Sequence, residues 1–141
     1  MKILLAVDGS ECSARTVTKV AELAAHMRAP SVHVINVQEA PVLYGAAEAY
    51  LPYERAEQAV KEAGRAIAEA AAQPLHATGL AVEAEVCIGD VAQTIARRAS
   101  ELGADLIVMG TRGVGAVAKL VLGSTATKVV HLTSVPVLLV H

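Results

Sequence analysis

Aromatic side chains, cysteine and long apolar runs are all scarce in this sequence. Phe and Trp are absent and Tyr occurs three times, so the hydrophobic 54% of the 141 residues is almost entirely aliphatic, a composition that suits helices packed on strands. The two cysteines, Cys12 and Cys87, form no CxxC pair, so nothing indicates a disulfide framework or a thiolate metal site. The apolar runs are far shorter than the roughly 20 residues that cross a bilayer. We therefore predict no membrane span.

An excess of one charge is missing as well. The formal net charge is -2 and the basic residues are scattered, so nothing favours binding to nucleic acid or to an anionic membrane surface. Asp8 interrupts the N-terminal apolar run too early for the apolar region of a signal peptide. We expect a cytoplasmic protein in which local geometry, and not overall charge, holds any anionic ligand.

Strand-like and helix-like patterns alternate along the chain, whose length suits one domain over residues 1–141. Strand-like runs cover residues 2–7, 31–37, 82–86, 106–109 and 137–140. Helical spacing follows Ser10 and ends before Pro30, covers 53–77 and 90–102, and begins again at Ser124. The alternation predicts right-handed crossovers and an open parallel five-stranded α/β sheet with helices on both faces.

Finer patterns indicate where individual elements lie and end. Residues 82–86 alternate apolar and acidic side chains, which predicts an edge strand, whereas 106–109 is continuously apolar, as in a central strand. Asp90 with Gln93 resembles a capping box, and Gly103 suits a left-handed C-cap. We expect Ser124 to cap the last helix.

Two loops of the predicted sheet carry residues suited to binding an anion. In open α/β sheets the ligand binds beyond the carboxyl ends of the strands, where strand order reverses. Asp8, Gly9 and Ser10 follow the first strand, and the glycine-rich segment 110–115 follows the fourth. Its glycines let backbone amides approach a phosphate, Arg112 adds positive charge, and Ser124 opens a helix with free amides. The sequence therefore predicts a phosphate cradle.

Four residues of this region match G-x2-G-x9-G-[ST], the motif of nucleotide-binding members of the universal stress protein family. They are Gly110, Gly113, Gly123 and Ser124. The resemblance extends to residues 3–10, 104–110 and 136–140, and it covers essentially the whole chain. It implies a Rossmann-like fold of the adenine nucleotide alpha hydrolase type, with strand order 3-2-1-4-5.

The resemblance also implies a ligand and a set of contacts. It places Asp8 near the ribose and metal of ATP, the backbone near Val37 at adenine, and Met109 beside the ribose, with Mg²⁺ held mainly by the phosphates. The cofactor-binding residues that we predict are Ala6, Val7, Asp8, Ser10, Val37, Met109, Gly110, Arg112, Gly113, Gly123, Ser124 and Thr125. It further implies a homodimer that pairs the last strands, Val137 to Val140. We predict no catalytic residue and no metal site built by the protein.

Other functions fit the residues less well. Segment 113–118 follows a dinucleotide pattern with a final Ala, but no acidic residue occurs in the last twenty positions to hold a ribose hydroxyl. The Gly-Lys-[Ser/Thr] of a P-loop and the HxGH of nucleotidyl transferases are absent, and Asp8 lacks the paired acid and the lysine of a phosphoacceptor receiver.

Three alternatives stay open. The protein could hydrolyse ATP weakly, or it could be an interaction module that binds an unknown protein partner and no nucleotide. Asp8 could also act only as a helix cap.

The remaining reactive side chains favour structural roles. Cys12 near a helix start could be an activated thiol, although packing is the better interpretation. The histidines share no metal-ligand spacing and are expected on the surface or in structural positions: His26, His33, His76, His131 and His141. The tyrosines could form a flap over the base, contact a partner or anchor a loop: Tyr44, Tyr50 and Tyr53.

Overall fold

The computed structural model describes residues 1–42, 53–113 and 122–141, in which five strands alternate with four helices. The strands are β1 (Lys2–Ala6), β2 (Ser31–Gln38), β3 (Ala81–Ile88), β4 (Leu106–Gly110) and β5 (Val137–Val140). The helices are α1 (Glu11–Ala24), α2 (Tyr53–His76), α3 (Val91–Leu102) and α4 (Ser124–Leu132). None of the helices in these described segments is long and apolar enough to span a membrane.

The strands form one parallel sheet in the order β3-β2-β1-β4-β5, which confirms the predicted order. In the centre, Leu4 of β1 lies opposite His33 of β2 and Ile107 of β4. β3 is an edge strand, as its alternating pattern predicted, and β5 forms the other edge. Strand order reverses between β1 and β4, so the loops that follow these two strands leave the sheet side by side.

Two hydrophobic layers cover the sheet, and successive residues of β1 show the division. Leu5 packs with Val20 of α1 and Leu75 of α2 on one face. Leu4 packs on the opposite face with residues of α3 and α4, among them Ile95 and Val129. Neither Leu4 nor Leu5 is exposed to solvent. A strand buried on both faces must be apolar throughout, which explains the continuous run at the start of the chain.

Three helix ends were predicted from single residues, and one of these predictions is wrong. The Oδ1 atom of Asp90 accepts from the backbone amide of Gln93 at 2.9 Å, which is the Asp90 half of the predicted capping box, and Gly103 ends α3 with φ +61°, as expected. Ser124, however, is the first residue of α4, and Gly123 is the N-cap without a side-chain bond. Gly123 has extended backbone and its carbonyl accepts from the Thr127 amide at 3.0 Å. Ser124 could cap the helix only if the helix began at residue 125, but Ser124 is already its first residue.

Candidate functional site

A cleft of about 430 Å³ opens at the carboxyl ends of β1 and β4, where strand order reverses. Its walls come from both loops that the sequence singled out, together with β2, α3 and the start of α4. Eleven of the twelve predicted site residues line it: Ala6, Val7, Asp8, Val37, Met109, Gly110, Arg112, Gly113, Gly123, Ser124 and Thr125. The structure thus brings into one cavity residues that are more than a hundred positions apart in the chain.

Ser10 is the predicted site residue that lies outside the lining of this cleft. Its Oγ accepts from the Ser13 amide at 3.1 Å, so Ser10 is the N-cap of α1. The alternative that Asp8 caps this helix is therefore wrong. Ser13 lines the cleft instead, and its hydroxyl accepts from the Asp8 amide at 3.3 Å. Nothing in the sequence distinguished the hydroxyl of Ser13 from that of Ser10.

The carboxylate of Asp8 is fixed between the two loops. Its Oδ1 accepts from the Ser10 amide at 3.0 Å, which closes a local turn. Its Oδ2 points at the second loop, because a Cβ built on Gly113 would lie only 2.7 Å from it. The absent side chain of Gly113 therefore makes room for the acid of β1, and the two loops meet at this point.

The other motif glycines also permit close contacts. A Cβ on Gly110 would lie 2.8 Å from Cys12 Sγ, and one on Gly123 would lie 3.0 Å from the carbonyl oxygen of Thr111. The Gly123 amide donates to that same oxygen at 2.8 Å, which ties the two ends of the glycine motif together. Cys12 is buried against Gly110, consistent with the packing role predicted for it. The intervening residues of the motif, 114–121, lie outside the described part of the chain.

The cleft has an apolar part and a polar part. Sequence reasoning missed most of the apolar wall, because its residues belong to patterns that predict only a core: Ile35, Val91, Ile95 and Ala126. Among the described residues, the polar part includes Asp8, Arg112, the glycines Gly110 and Gly113, and the first turn of α4. The first amides of a helix have no partner within it, so they are free to bind an anion.

A buried amide joins the end of β1 to β2. Asn36, with 1% of its surface exposed, donates from Nδ2 to the Val7 carbonyl at 2.8 Å and accepts from Gln38 Nε2 at 2.7 Å. A buried amide without partners would cost about 1–3 kcal/mol, so these bonds fix the end of β1 relative to β2. Asn36 could be noticed in the sequence only as a polar residue in an apolar strand.

The other histidine and tyrosine candidates either lie away from the cleft or fall outside the described residues. His33 is buried, with Nδ1 3.3 Å from Glu83 Oε2 and Nε2 3.1 Å from Glu85 Oε1. Tyr53 starts α2 and is half exposed, whereas Tyr44 and Tyr50 lie outside the described residues. In the segments that the structure describes, no group of three His, Cys, Asp or Glu side chains could hold a metal ion.

Comparison with known proteins connects this geometry to a family. The model of the universal stress protein family matches residues 1–141. The chain belongs to the universal stress protein family. Among universal stress proteins, it is 38% identical over 140 residues to one from Thermus aquaticus, found in the QAH/OAS sulfhydrylase 3' region, covering 99% of this chain and 97% of the relative. It is 30% identical over 146 residues to YxiE of Bacillus subtilis, covering 99% and 98% respectively.

Solved structures of universal stress proteins and their relatives share the fold. The hypothetical protein MJ0577 superposes with a TM-score of 0.85 at 23% identity, over 99% of this chain and 94% of that chain. A universal stress protein in complex with cAMP superposes with a TM-score of 0.69 at 25% identity, over 100% and 96%. These findings confirm the family resemblance inferred from the glycine motif.

Proposed function

We propose that this universal stress protein binds ATP with Mg²⁺ in the cleft between β1 and β4. One observation carries the proposal: an apolar slot and an anion-binding backbone lie in a single cavity at the point where strand order reverses. The complex of a similar universal stress protein with cAMP supports an adenine nucleotide as the ligand.

The apolar part of the cleft suits adenine. Val37 and Ile35 from β2 face Val91 and Ile95 from α3, and Met109 lies at the end of β4. A purine ring is flat and apolar on both faces, so stacking between such aliphatic walls removes apolar surface from water. The backbone of Val37 would serve the polar edge of the ring, and Met109 would lie beside the ribose.

The polar part of the cleft suits the phosphates and their cation. The amides of the glycine motif and of Ser124 and Thr125 would donate to phosphate oxygens, and Arg112 would supply positive charge. Asp8 is a carboxylate in the cleft itself, and carboxylate oxygens suit Mg²⁺, which usually retains several waters and binds phosphates. The residues present therefore fit MgATP, with Mg²⁺ held mainly by the phosphates.

The proposed biological role is that of a cytoplasmic regulatory module and not of an efficient enzyme. The nucleotide would change the surface that a homodimer, formed through β5, presents to a protein partner. The cleft offers Asp8 as a possible general base, but one of its oxygens already accepts from the Ser10 amide. We therefore expect hydrolysis to be slow or absent.

The binding proposal can be tested by titrating MgATP, MgAMP and MgGTP into the protein in a calorimeter. Gly113→Val should abolish MgATP binding, because its side chain would displace the Asp8 carboxylate and obstruct the loop. Asp105→Asn is the matched control, since Asp105 accepts from the Lys2 amide at 2.7 Å at the opposite end of the sheet. Absence of binding heat with every nucleotide, in folded wild-type protein, would reject the site and favour a module that binds only a protein.

A second assay separates binding from hydrolysis. Phosphate release from MgATP is followed in the wild type and in Asp8→Ala. We expect release no faster than the background. Steady release that Asp8→Ala abolishes would instead establish the weak ATPase alternative, with Asp8 positioning a water.

A further inference from the structure

The end of β5 contacts the loop that would bind the phosphates. Gly110 of β4 pairs with Val140 of β5, so the residues that follow these two strands leave the sheet side by side. The Val140 carbonyl accepts from the Thr111 amide at 2.8 Å. One residue further on, the His141 ring contacts both Thr111 and Arg112.

The His141 ring lies against the guanidinium of Arg112. Nη2 of Arg112 is 3.0 Å from Nε2 and 3.3 Å from Nδ1 of the ring, and Nδ1 is also 3.2 Å from Thr111 Oγ1. A guanidinium can only donate, so a ring nitrogen that keeps its lone pair accepts from Arg112. The Thr111 hydroxyl can donate or accept, so its contact suits either tautomer of the ring.

This contact restricts a long cationic side chain at the wall of the cleft. An arginine side chain has many rotamers. The conformational entropy that it loses when it binds a phosphate reduces the affinity. A guanidinium carries five N–H donors, so the contact of Nη2 with His141 involves only part of its donor capacity. A side chain that is already restrained loses less freedom when the ligand binds.

We propose that His141 is a positioning residue for Arg112 and thereby raises the affinity of the cleft for the phosphate part of its ligand. The proposal rests on the proposed nucleotide-binding function and deepens it. His141 need not touch the nucleotide itself. Its effect therefore depends on Arg112 and on the number of phosphates, and not on the base.

The first test compares ligands that differ only in their phosphates. Adenosine, AMP and MgATP are titrated into the wild type, His141→Ala and His141→Gln. His141→Ala should weaken MgATP about two- to tenfold, the range expected for ordering one long side chain on binding, and leave adenosine unchanged. His141→Gln offers an amide oxygen as acceptor and should restore most of the affinity. Equal weakening of adenosine and MgATP in His141→Ala would indicate only a general structural role and would overturn the proposal.

A double-mutant cycle tests whether His141 acts through Arg112. Arg112→Ala should weaken MgATP by itself, and adding His141→Ala should then change nothing further. A full effect of His141→Ala in the Arg112→Ala background would overturn the proposal, because the ring would then act on the ligand directly.

A measurement without nucleotide keeps the contact testable by itself. The NMR order parameter of the Arg112 Nε–H group should be lower in His141→Ala than in the wild type and His141→Gln. Equal order parameters in all three would reject the positioning role. If the ring orders Arg112 but the wild type binds no adenosine, AMP or MgATP, the proposed function fails and the phosphate role of His141 fails with it. If the wild type binds and His141→Ala binds equally well, only the present proposal fails.

Discussion

At the scale of single residues, Gly64 shows that packing can require a glycine even though glycine is unfavourable inside a helix. It lies in the middle of α2, where Gly costs about 1 kcal/mol relative to Ala. A Cβ at this position would lie 2.5 Å from Val86 Cγ2 and 2.7 Å from Asn36 Oδ1. Val86 is β-branched and stiff, and the amide of Asn36 is held by the Val7 carbonyl. Gly64 thus lets α2 lie directly on the amide that joins the end of β1 to β2.

We therefore predict that Gly64→Ala lowers the free energy of unfolding by about 1–3 kcal/mol, the usual cost of overpacking a core. Helix propensity alone predicts the opposite sign. The measurement is urea unfolding, with Ala63→Gly at the neighbouring exposed position as the control. That control should also destabilise, by about 1 kcal/mol, through propensity alone. A Gly64→Ala variant more stable than the wild type would show that α2 does not approach the sheet this closely.

At the scale of elements, an ion pair joins β3 to α3. Nε and Nη2 of Arg98 donate to the two carboxylate oxygens of Glu85 at 2.9 and 2.8 Å, a bidentate geometry. Nη1 of Arg98 donates to Glu101 at 2.7 Å. Partial burial by itself would raise the pKa of Glu85, but the hydrogen bonds and charge of Arg98, together with His33, outweigh it and lower the pKa. The ionised form of Glu85 is therefore favoured in the folded protein.

A lowered pKa makes this stabilisation depend on pH. The contribution is complete above the ordinary glutamate pKa of about 4.3 and is lost as pH falls through the lower folded value. Glu85→Gln should cost about 1 kcal/mol of stability at pH 7, and its difference from the wild type should vanish well below about pH 4. Urea midpoints of both proteins at the two pH values measure this. Glu83→Gln, on the same strand but with a side chain 82% exposed, should have a much smaller effect at pH 7. A Glu85→Gln cost independent of pH would contradict the ionic explanation.

The elements also show which features the sequence can predict. Strands and helices arise from local patterns, so their succession along the chain, the edge position of β3 and both ends of α3 could be predicted from neighbouring residues. The order of the strands in the sheet came from the family resemblance. The start of α4 did not, because Gly123 and Ser124 are both acceptable caps and the choice depends on how Gly123 packs against Thr111. For the cleft, the loops after β1 and β4 were recognisable, whereas Ser13, Asn36 and His141 depend on contacts between distant strands and helices. No spacing within a single segment indicates such residues.

At the scale of the whole molecule, the sheet has two edges with different chemistry. The carbonyl of Pro136, just before β5, accepts from the amide of Ile107 in β4, and the carbonyl of Val140 in β5 accepts from the amide of Thr111, just after β4. Because successive residues of a strand point their backbone groups to opposite sides, the N–H and C=O of Leu139 face the open edge. Exposed apolar side chains of α4, Val130 and Leu132, add to the surface that a partner could cover. These features support the proposed homodimer through β5.

We predict that Leu139→Pro converts a dimer in solution into a monomer. Proline removes the outward N–H of Leu139 without touching the bonds from Pro136 and Val140 to β4. Leu139→Ala is the matched control, because it also shortens the side chain but keeps the N–H and should retain the dimer. Sedimentation velocity measures both species. A Leu139→Pro protein that stays dimeric would move the interface away from the edge of β5.

The opposite edge limits how far such assembly can proceed. A sheet that presents two open edges to its own copies can add molecules without end, as growing fibrils do. Pairing one β5 with another about a two-fold axis would consume the same edge of both molecules and leave only their β3 strands open. Glu83, whose side chain is exposed, places negative charge on β3, whereas Val137 to Val140 carry none. Repulsion between the Glu83 side chains of two β3 edges would therefore oppose growth beyond two copies, so an acidic residue that marked β3 as an edge strand would also limit polymerisation.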